Sequence, residues 1–271
     1  MLRKFSNTRS VFFGRAGLIF FMAFLCLSYS GKQTVLIHSH NDYQKNIPFY
    51  RAYSQQVHTI EADIYAAPAS DGLLVAHDPH ELDSALSLDE MYLEPLIFLF
   101  GQNEGRPWRG SEQVLTLMID LKTPLHPTID RLIAKLKRHP EVFDPSVNPY
   151  AVRIVISGSR PDPEAFGEYP RFISFDGFID VDYTPQQLER VAFISEPFFR
   201  YSKWKGGADT LSAEDRQVIE SLVAKSHKTG KPIRFWGSPD TVNAWETFRE
   251  LGIDIINTDR PEACTLYFQE H

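Results

Sequence analysis

His38, His40, Glu61, Asp63, His77, Asp120 and Lys122 stand at spacings from which a catalytic site can be built. Glu61 and Asp63 lie two apart in "IEADI", as do Asp120 and Lys122 in "MIDLK". On an extended chain, residues two apart face the same way. Two neighbouring carboxylates that point inward together repel, and holding both ionised needs a cation. A third carboxylate, Asp120, completes an all-oxygen set of Glu61, Asp63 and Asp120. Hard oxygen ligands suit one divalent Mg²⁺ or Ca²⁺ better than zinc. Two imidazoles beside such an ion can serve as general base and general acid in phosphodiester cleavage. The ion and a lysine would offset charge that builds on the phosphoryl oxygens. Lys122 has the reach for that, and its plainer alternative is an ion pair with Asp120.

Elements must bring these residues together, and the pattern is one of short apolar runs alternating with amphipathic stretches. Strands are predicted at 34–40, 58–65, 72–78, 114–122, 151–158, 172–179, 190–197, 231–237 and 253–259. Helices are predicted at 48–56, 126–139, 212–230 and 239–252, and in part over 88–100. The helix at 212–230 has Ser212 as N-cap, Asp215 three residues on and Gly230 as its stop. Alternating strands and helices imply parallel pairing. With no Gly-rich phosphate fingerprint, the expected α/β fold is a closed TIM (β/α)8 barrel. Chemistry in such barrels sits at the C-terminal ends of strands, where the candidate residues fall. A lone strand-end Asp is often only a helix cap and a lone strand His often only packed. Four consecutive strand ends that each deliver a polar residue favour the functional reading.

The limits of the folded part follow from composition. Arg3, Lys4, Arg9 and Arg15 precede the apolar run "AGLIFFMAFLCL", and small residues follow it, so residues 1–30 read as a secretory signal cut after Ser30. The run is shorter than the ~20 apolar residues of a spanning helix. Cys26 is flanked by Phe24, Leu25 and Leu27, which are bulky for a lipoprotein site. Residues 31–271 remain as a single barrel domain of about 240 residues, long enough for one large core. Cys264 is then the only cysteine, so no intramolecular disulfide forms. A net charge of −7 gives no sign of a nucleic-acid surface. The expected state is an exported, monomeric protein with no stable membrane span and a small-molecule or lipid phosphodiester as its partner.

The motifs "SHNDY", "IEADI", "VAHD" and "MIDLK" together resemble the glycerophosphodiester phosphodiesterase and phospholipase-C-like barrel superfamily. "IDLKT" is similar to a segment of sphingomyelinase D. The stretch "FWGSPDTVNAWETFRELGIDIINTDRP" is similar to the superfamily's last strand, helix and strand, with Trp236 ending strand seven. "SHNDY", "EAD", "HD" and a "YLEPL"-like segment resemble most the altered-inheritance-of-mitochondria protein 6 group, over nearly all of the chain after the signal. The resemblance implies a PLC-like phosphodiesterase barrel with His40 as one catalytic imidazole. His40, His77 and Lys122 are then the expected catalytic groups, and Asn41, Lys122 and Trp236 the expected substrate contacts. His38 is expected to be a packed, supporting residue. Asn41 departs from the pattern, because glycerophosphodiesterases carry a phosphate-contacting Arg after the first His. Asn41 keeps the ability to ligate a metal or donate a hydrogen bond.

Two rival readings can be weighed on the same residues. "HSH" at a strand end could be the paired zinc ligands of an amidohydrolase-type barrel, with Asp259 as the strand-eight acid. That site needs further histidines at later strand ends, and His77 alone meets the need. A non-catalytic binding barrel is opposed by the presence of every histidine and carboxylate. In "FFRYSKWKGG", Lys203 and Trp204 are read as a substrate-facing loop, with packing beneath such a loop as the alternative.

Overall fold

A computed structural model describes residues 35–271. The expected signal at residues 1–30 lies outside the described residues. The strands are β1 (Leu36–Ser39), β2 (Thr59–Ala66), β3 (Leu73–Val75), β4 (Thr116–Leu121), β5 (Arg153–Gly158), β6 (Ile173–Gly177), β7 (Val191–Pro197), β8 (Ile233–Trp236) and β9 (Ile255–Thr258). They form one sheet in the order β1-β9-β8-β7-β6-β5-β4-β2-β3, and β1 also pairs with β2, which closes the ring. The eight ring strands are all parallel, whereas β3 runs antiparallel to β2. The predicted barrel is the fold, and the predicted 72–78 strand is a short flap on its rim rather than a stave.

Alternation along the strands sorts the barrel interior into layers. The lowest is apolar, with Met118, Val155, Phe193 and Ile255 packed together and Leu36 and Ala192 against them. Above it come buried polar side chains: His38, Ser195 and Asn257, each two residues past one of these, with Glu61 and Arg234 on neighbouring strands. Nearer the mouth lie Asp63, two residues past Glu61, Asp120, two past Met118, and, just past the strand ends, His40, Lys122 and Asp259. Pairing of Asp63 with Asp120 in the β2–β4 register sets these two carboxylates side by side. The larger apolar cluster fills the space between the strands and the outer helices, from Ile60 and Leu117 to Leu132, Ile219 and Phe248.

Local chemistry explains the helices that fasten the mouth. Ser212 accepts from the Asp215 amide at 3.1 Å, as expected for a capped helix, here Ala213–Lys228. The stretch read as partly helical at 88–100 is a π-type turn, Asp89–Leu93, that runs into the α-helix Glu94–Gln102. Pro95 has no amide to donate into that junction, which favours the change of winding. The turn carries Tyr92 to the core, where its hydroxyl donates to Asp42 Oδ2 at 3.1 Å.

Asp42 is fully buried and also accepts from Ser39 Oγ at 2.8 Å and the Phe49 amide at 2.5 Å. Burial raises its pKa, and these donors act against that rise. Phe49 has φ +63, a region that costs a bulky residue of order 1–3 kcal/mol, held in place by full burial and by that carboxylate. Asp42→Ala should therefore lose about 2–4 kcal/mol of stability by urea denaturation, because three donors lose their acceptor. Asp42→Asn, which keeps one acceptor, should lose less.

Candidate active site

Glu61 and Asp63 on β2 and Asp120 on β4 each offer a ligand oxygen, and these oxygens lie within 4.8 Å of one another. Oxygens bound to one Ca²⁺ at roughly 2.3–2.6 Å can be up to about 5 Å apart, so the set spans a single ion. Asp63 gives the second test of fit. Its Oδ2 accepts from Lys122 Nζ at 2.9 Å and from Tyr43 OH at 2.8 Å, while its buried Oδ1 has no hydrogen-bond partner. A buried carboxylate oxygen with no partner is costly unless something cationic meets it. Gly158, at φ +68 at the end of β5, leaves room beside the third carboxylate, since a Cβ there would fall 2.2 Å from Asp120 Oδ1.

The electrostatics follow from crowding. Burial and then the charge of Glu61 push Asp63 up to about 6. Burial likewise raises Asp120, against the pull of Lys122. Glu61 goes the other way. Burial opposes its charge, but a hydrogen bond from His38 and the Arg234 guanidinium hold it well below the usual carboxylate range. Lys122 lies 3.5 Å from Asp120 as well as close to Asp63. Burial works against its charge, but the two carboxylates outweigh burial and keep it a cation.

His38 is a packed, supporting residue, in line with the sequence reading. It is fully buried, with Nε2 2.8 Å from Glu61 Oε2 and 2.7 Å from Arg234 Nη1. Burial, then Arg234, lowers its pKa to about 4, so the ring is neutral at pH 7. Arg234 on β8 lies 3.6 Å from Glu61 and donates to Ser195 Oγ at 3.0 Å and to Asn257 Oδ1 at 3.2 Å. His40, a quarter exposed, places Nδ1 3.1 Å from Asp259 Oδ1, which also receives Lys45 Nζ at 3.0 Å. These bonds, with that to His40 the largest, lower Asp259 to about 2. His77 is exposed at the rim with Nδ1 3.0 Å from Tyr43 OH. Its backbone is fixed from both sides, the amide donating to Glu81 Oε2 at 2.7 Å and the carbonyl accepting from Tyr65 OH at 2.9 Å.

The structure brings Glu61, Asp63, Asp120 and Lys122 together, with His77 joined through Tyr43, and sets His40 on Asp259. Asn41 follows His40 in a left-handed conformation, φ 44. Trp236 ends β8, 39% exposed, with its ring edge-to-face with exposed Phe199 at 5.3 Å. Trp204 corrects the expectation of a substrate-facing side chain. It is buried in the outer apolar cluster beside Phe248, and its indole N–H donates to Asp209 O at 3.0 Å. An indole among apolar neighbours buries more surface there than it would at the mouth. The zinc alternative finds no support in placement. Among the described residues the converging ligand group is the carboxylate trio, and His38 and His40 engage Glu61 and Asp259 instead.

Sequence reasoning missed Tyr43, Arg234 and the pairing of Asp259 with His40. Tyr43 lay inside "SHNDY", three residues after a histidine at a strand end. Arg234 stood alone among apolar residues in "KPIRFWG", at the spacing of an inward side chain. Burial, then the Asp63 charge, raises the Tyr43 pKa, so it stays a phenol.

The parallel barrel thus carries a carboxylate trio and two anchored imidazoles at its mouth. Residues 29–143 match the model of the AIM6-like phosphodiesterase domain. Altered inheritance of mitochondria protein 6 of Kluyveromyces lactis is 34% identical over 82% of this chain and 70% of its own length. The Eremothecium gossypii protein of that name is 25% identical over 85% of this chain and 69% of its own. The chain belongs to the altered inheritance of mitochondria protein 6 family. A glycerophosphodiester phosphodiesterase from Parabacteroides distasonis shares the fold, with a TM-score of 0.54 and 16% identity over 89% of this chain and 99% of that one.

The trio should bind a divalent cation measurably. At about 100 times its Kd, Ca²⁺ or Mg²⁺ would add about 2.7 kcal/mol, or roughly 5–10 °C of melting temperature at pH 8. Asp63→Asn should remove most of that rise. Because the pKa of Asp63 is raised to about 6, a proton competes with the ion below that pH. The ion-induced rise should therefore shrink as pH falls from 8 to 5, and a rise that grows toward pH 5 would contradict the site.

Proposed function

We propose that this protein is a phosphoric diester hydrolase that depends on a divalent cation and uses His40 and His77 as its acid–base pair. The observation that carries the reading is the convergence of Glu61, Asp63 and Asp120 beside two imidazoles that are each anchored through Nδ1. Anchoring through Nδ1 leaves Nε2 of each ring for the substrate. One imidazole removes the proton of the attacking hydroxyl or water as its oxygen bonds to phosphorus. The other gives a proton to the alcohol oxygen as the P–O bond breaks. Asp259 holds His40 in orientation, as Tyr43 and the bonded backbone hold His77. Lys122 offsets charge on the phosphoryl oxygens from its place beside Asp63 and Asp120. A Mg²⁺ or Ca²⁺ held by Glu61, Asp63 and Asp120 would supply Lewis-acid stabilisation of that same charge.

The substrate class is a glycerophosphodiester or phospholipid-like diester, with Asn41 and Trp236 as contacts. The chain acts after export directed by residues 1–30, as a monomer. Among the described residues no helix is long and apolar enough to cross a membrane.

A panel of phosphodiesters assayed with Mg²⁺, Ca²⁺ or EDTA should show turnover that EDTA abolishes. His40→Ala and His77→Ala should each lower turnover by about a hundredfold or more and leave cation affinity nearly unchanged. The double variant should be little worse than either single one. His38→Ala should mainly lose stability, and equal loss of bound metal in His38→Ala and His40→Ala would overturn the assignment.

A further inference from the structure

Tyr43 OH stands between a carboxylate of the ion site and an imidazole, 2.8 Å from Asp63 Oδ2 and 3.0 Å from His77 Nδ1. His77 Nδ1 and Asp63 Oδ2 are themselves 3.6 Å apart, beyond a good hydrogen bond, so the phenol is the link. A phenol has one proton to give. An ionised carboxylate can only accept, so the bond to Asp63 consumes that proton. The contact with His77 is then a hydrogen bond only when Nδ1 carries the hydrogen and the phenol oxygen accepts it.

We propose that Tyr43 is a positioning residue that holds His77 in the Nδ1–H tautomer, so that its Nε2 stays bare and aimed away from Asp63. The role of His77 in the reaction rests on the phosphodiesterase reading above, whereas its tautomer does not. Tyr43 also spares the ion site. It binds the Asp63 oxygen that Lys122 already occupies and leaves Oδ1 free. One hydroxyl thus ties the orientation of an imidazole to that of a metal-ligating carboxylate, as outer groups do in many metal sites. Tyr43 lies three residues after His40, so a single loop positions both imidazoles. His40 belongs to the loop directly, and His77 is held through the phenol. Asp42 anchors the loop from beneath through Ser39, Phe49 and Tyr92.

Tyr43→Phe keeps the ring and removes only the link, which makes it the informative variant. Long-range ¹H–¹⁵N spectra of histidine-labelled protein, recorded at a pH where the rings are neutral, report the tautomer directly. The wild type should show Nδ1–H for His77, and the variant should shift toward Nε2–H, the form that free imidazole favours. Turnover should fall about 10–100-fold, with KM within about threefold of wild type, and Ca²⁺ affinity by calorimetry should fall by less than turnover, because Lys122 still holds Asp63 Oδ2. Persistence of the Nδ1–H form in Tyr43→Phe, or turnover within about twofold of wild type, would overturn the proposal. If the wild-type protein cleaves no phosphodiester, the functional reading fails, and the tautomer shift still decides the role of Tyr43.

Discussion

Repulsion among Glu61, Asp63 and Asp120 in a largely buried barrel mouth is the constraint on which the rest of the arrangement depends. Each carboxylate has a resident partner. Arg234 and His38 attend Glu61, Lys122 and Tyr43 attend Asp63, and Lys122 also reaches Asp120. Two cations for three anions leave the cluster one charge short of neutral. Burial first, and then the charge of Glu61, raises the pKa values of Asp63 and Asp120 in this setting. The deficit is what a divalent ion would meet, and the unpartnered Asp63 Oδ1 marks where it is felt.

The layered interior explains why this charge is tolerated. Met118, Val155, Phe193 and Ile255 close the bottom of the barrel and exclude water from below. Above them Arg234 donates to Ser195 and Asn257 and lies 3.6 Å from Glu61, so it enters the core among partners rather than as an isolated charge. A buried guanidinium without such partners would cost several kcal/mol. His38 is neutral in this layer because burial and Arg234 both disfavour a second positive charge. One stave thus carries an apolar residue, a structural polar residue and a mouth residue in turn, as Leu36, His38 and His40 do on and just after β1.

Much of this was legible in the sequence, for a physical reason. An acidic pair two apart inside an apolar run fits little besides a strand that turns one polar face inward, so Glu61 and Asp63 announced both their strand and their facing. Strand–helix alternation likewise implied parallel pairing and hence the barrel. What was hidden depends on contacts across the chain. The direction of β3 is set by its pairing with β2, which a three-residue apolar run cannot reveal. Arg234 meets His38 across the closed ring, and Tyr43 meets His77 from another strand end. Trp204 misled because an aromatic in a polar, Gly-containing loop reads equally as a contact surface or as a peg into the core. Burial decided for the peg.

Asn41 shows how these parts constrain one another. The glycerophosphodiesterase pattern has an arginine at this place, and the left-handed backbone at φ 44 gives a reason for the exchange. Asn tolerates that region better than a long side chain such as Arg. The tight turn it permits sends Asp42 inward to Ser39, Phe49 and Tyr92, and brings Tyr43 back over Asp63. The fixed charge is thereby exchanged for a phenol that links Asp63 to His77. Positive charge beside the carboxylates then rests with Arg234 at Glu61 and with Lys122, whose raised pKa keeps it a cation.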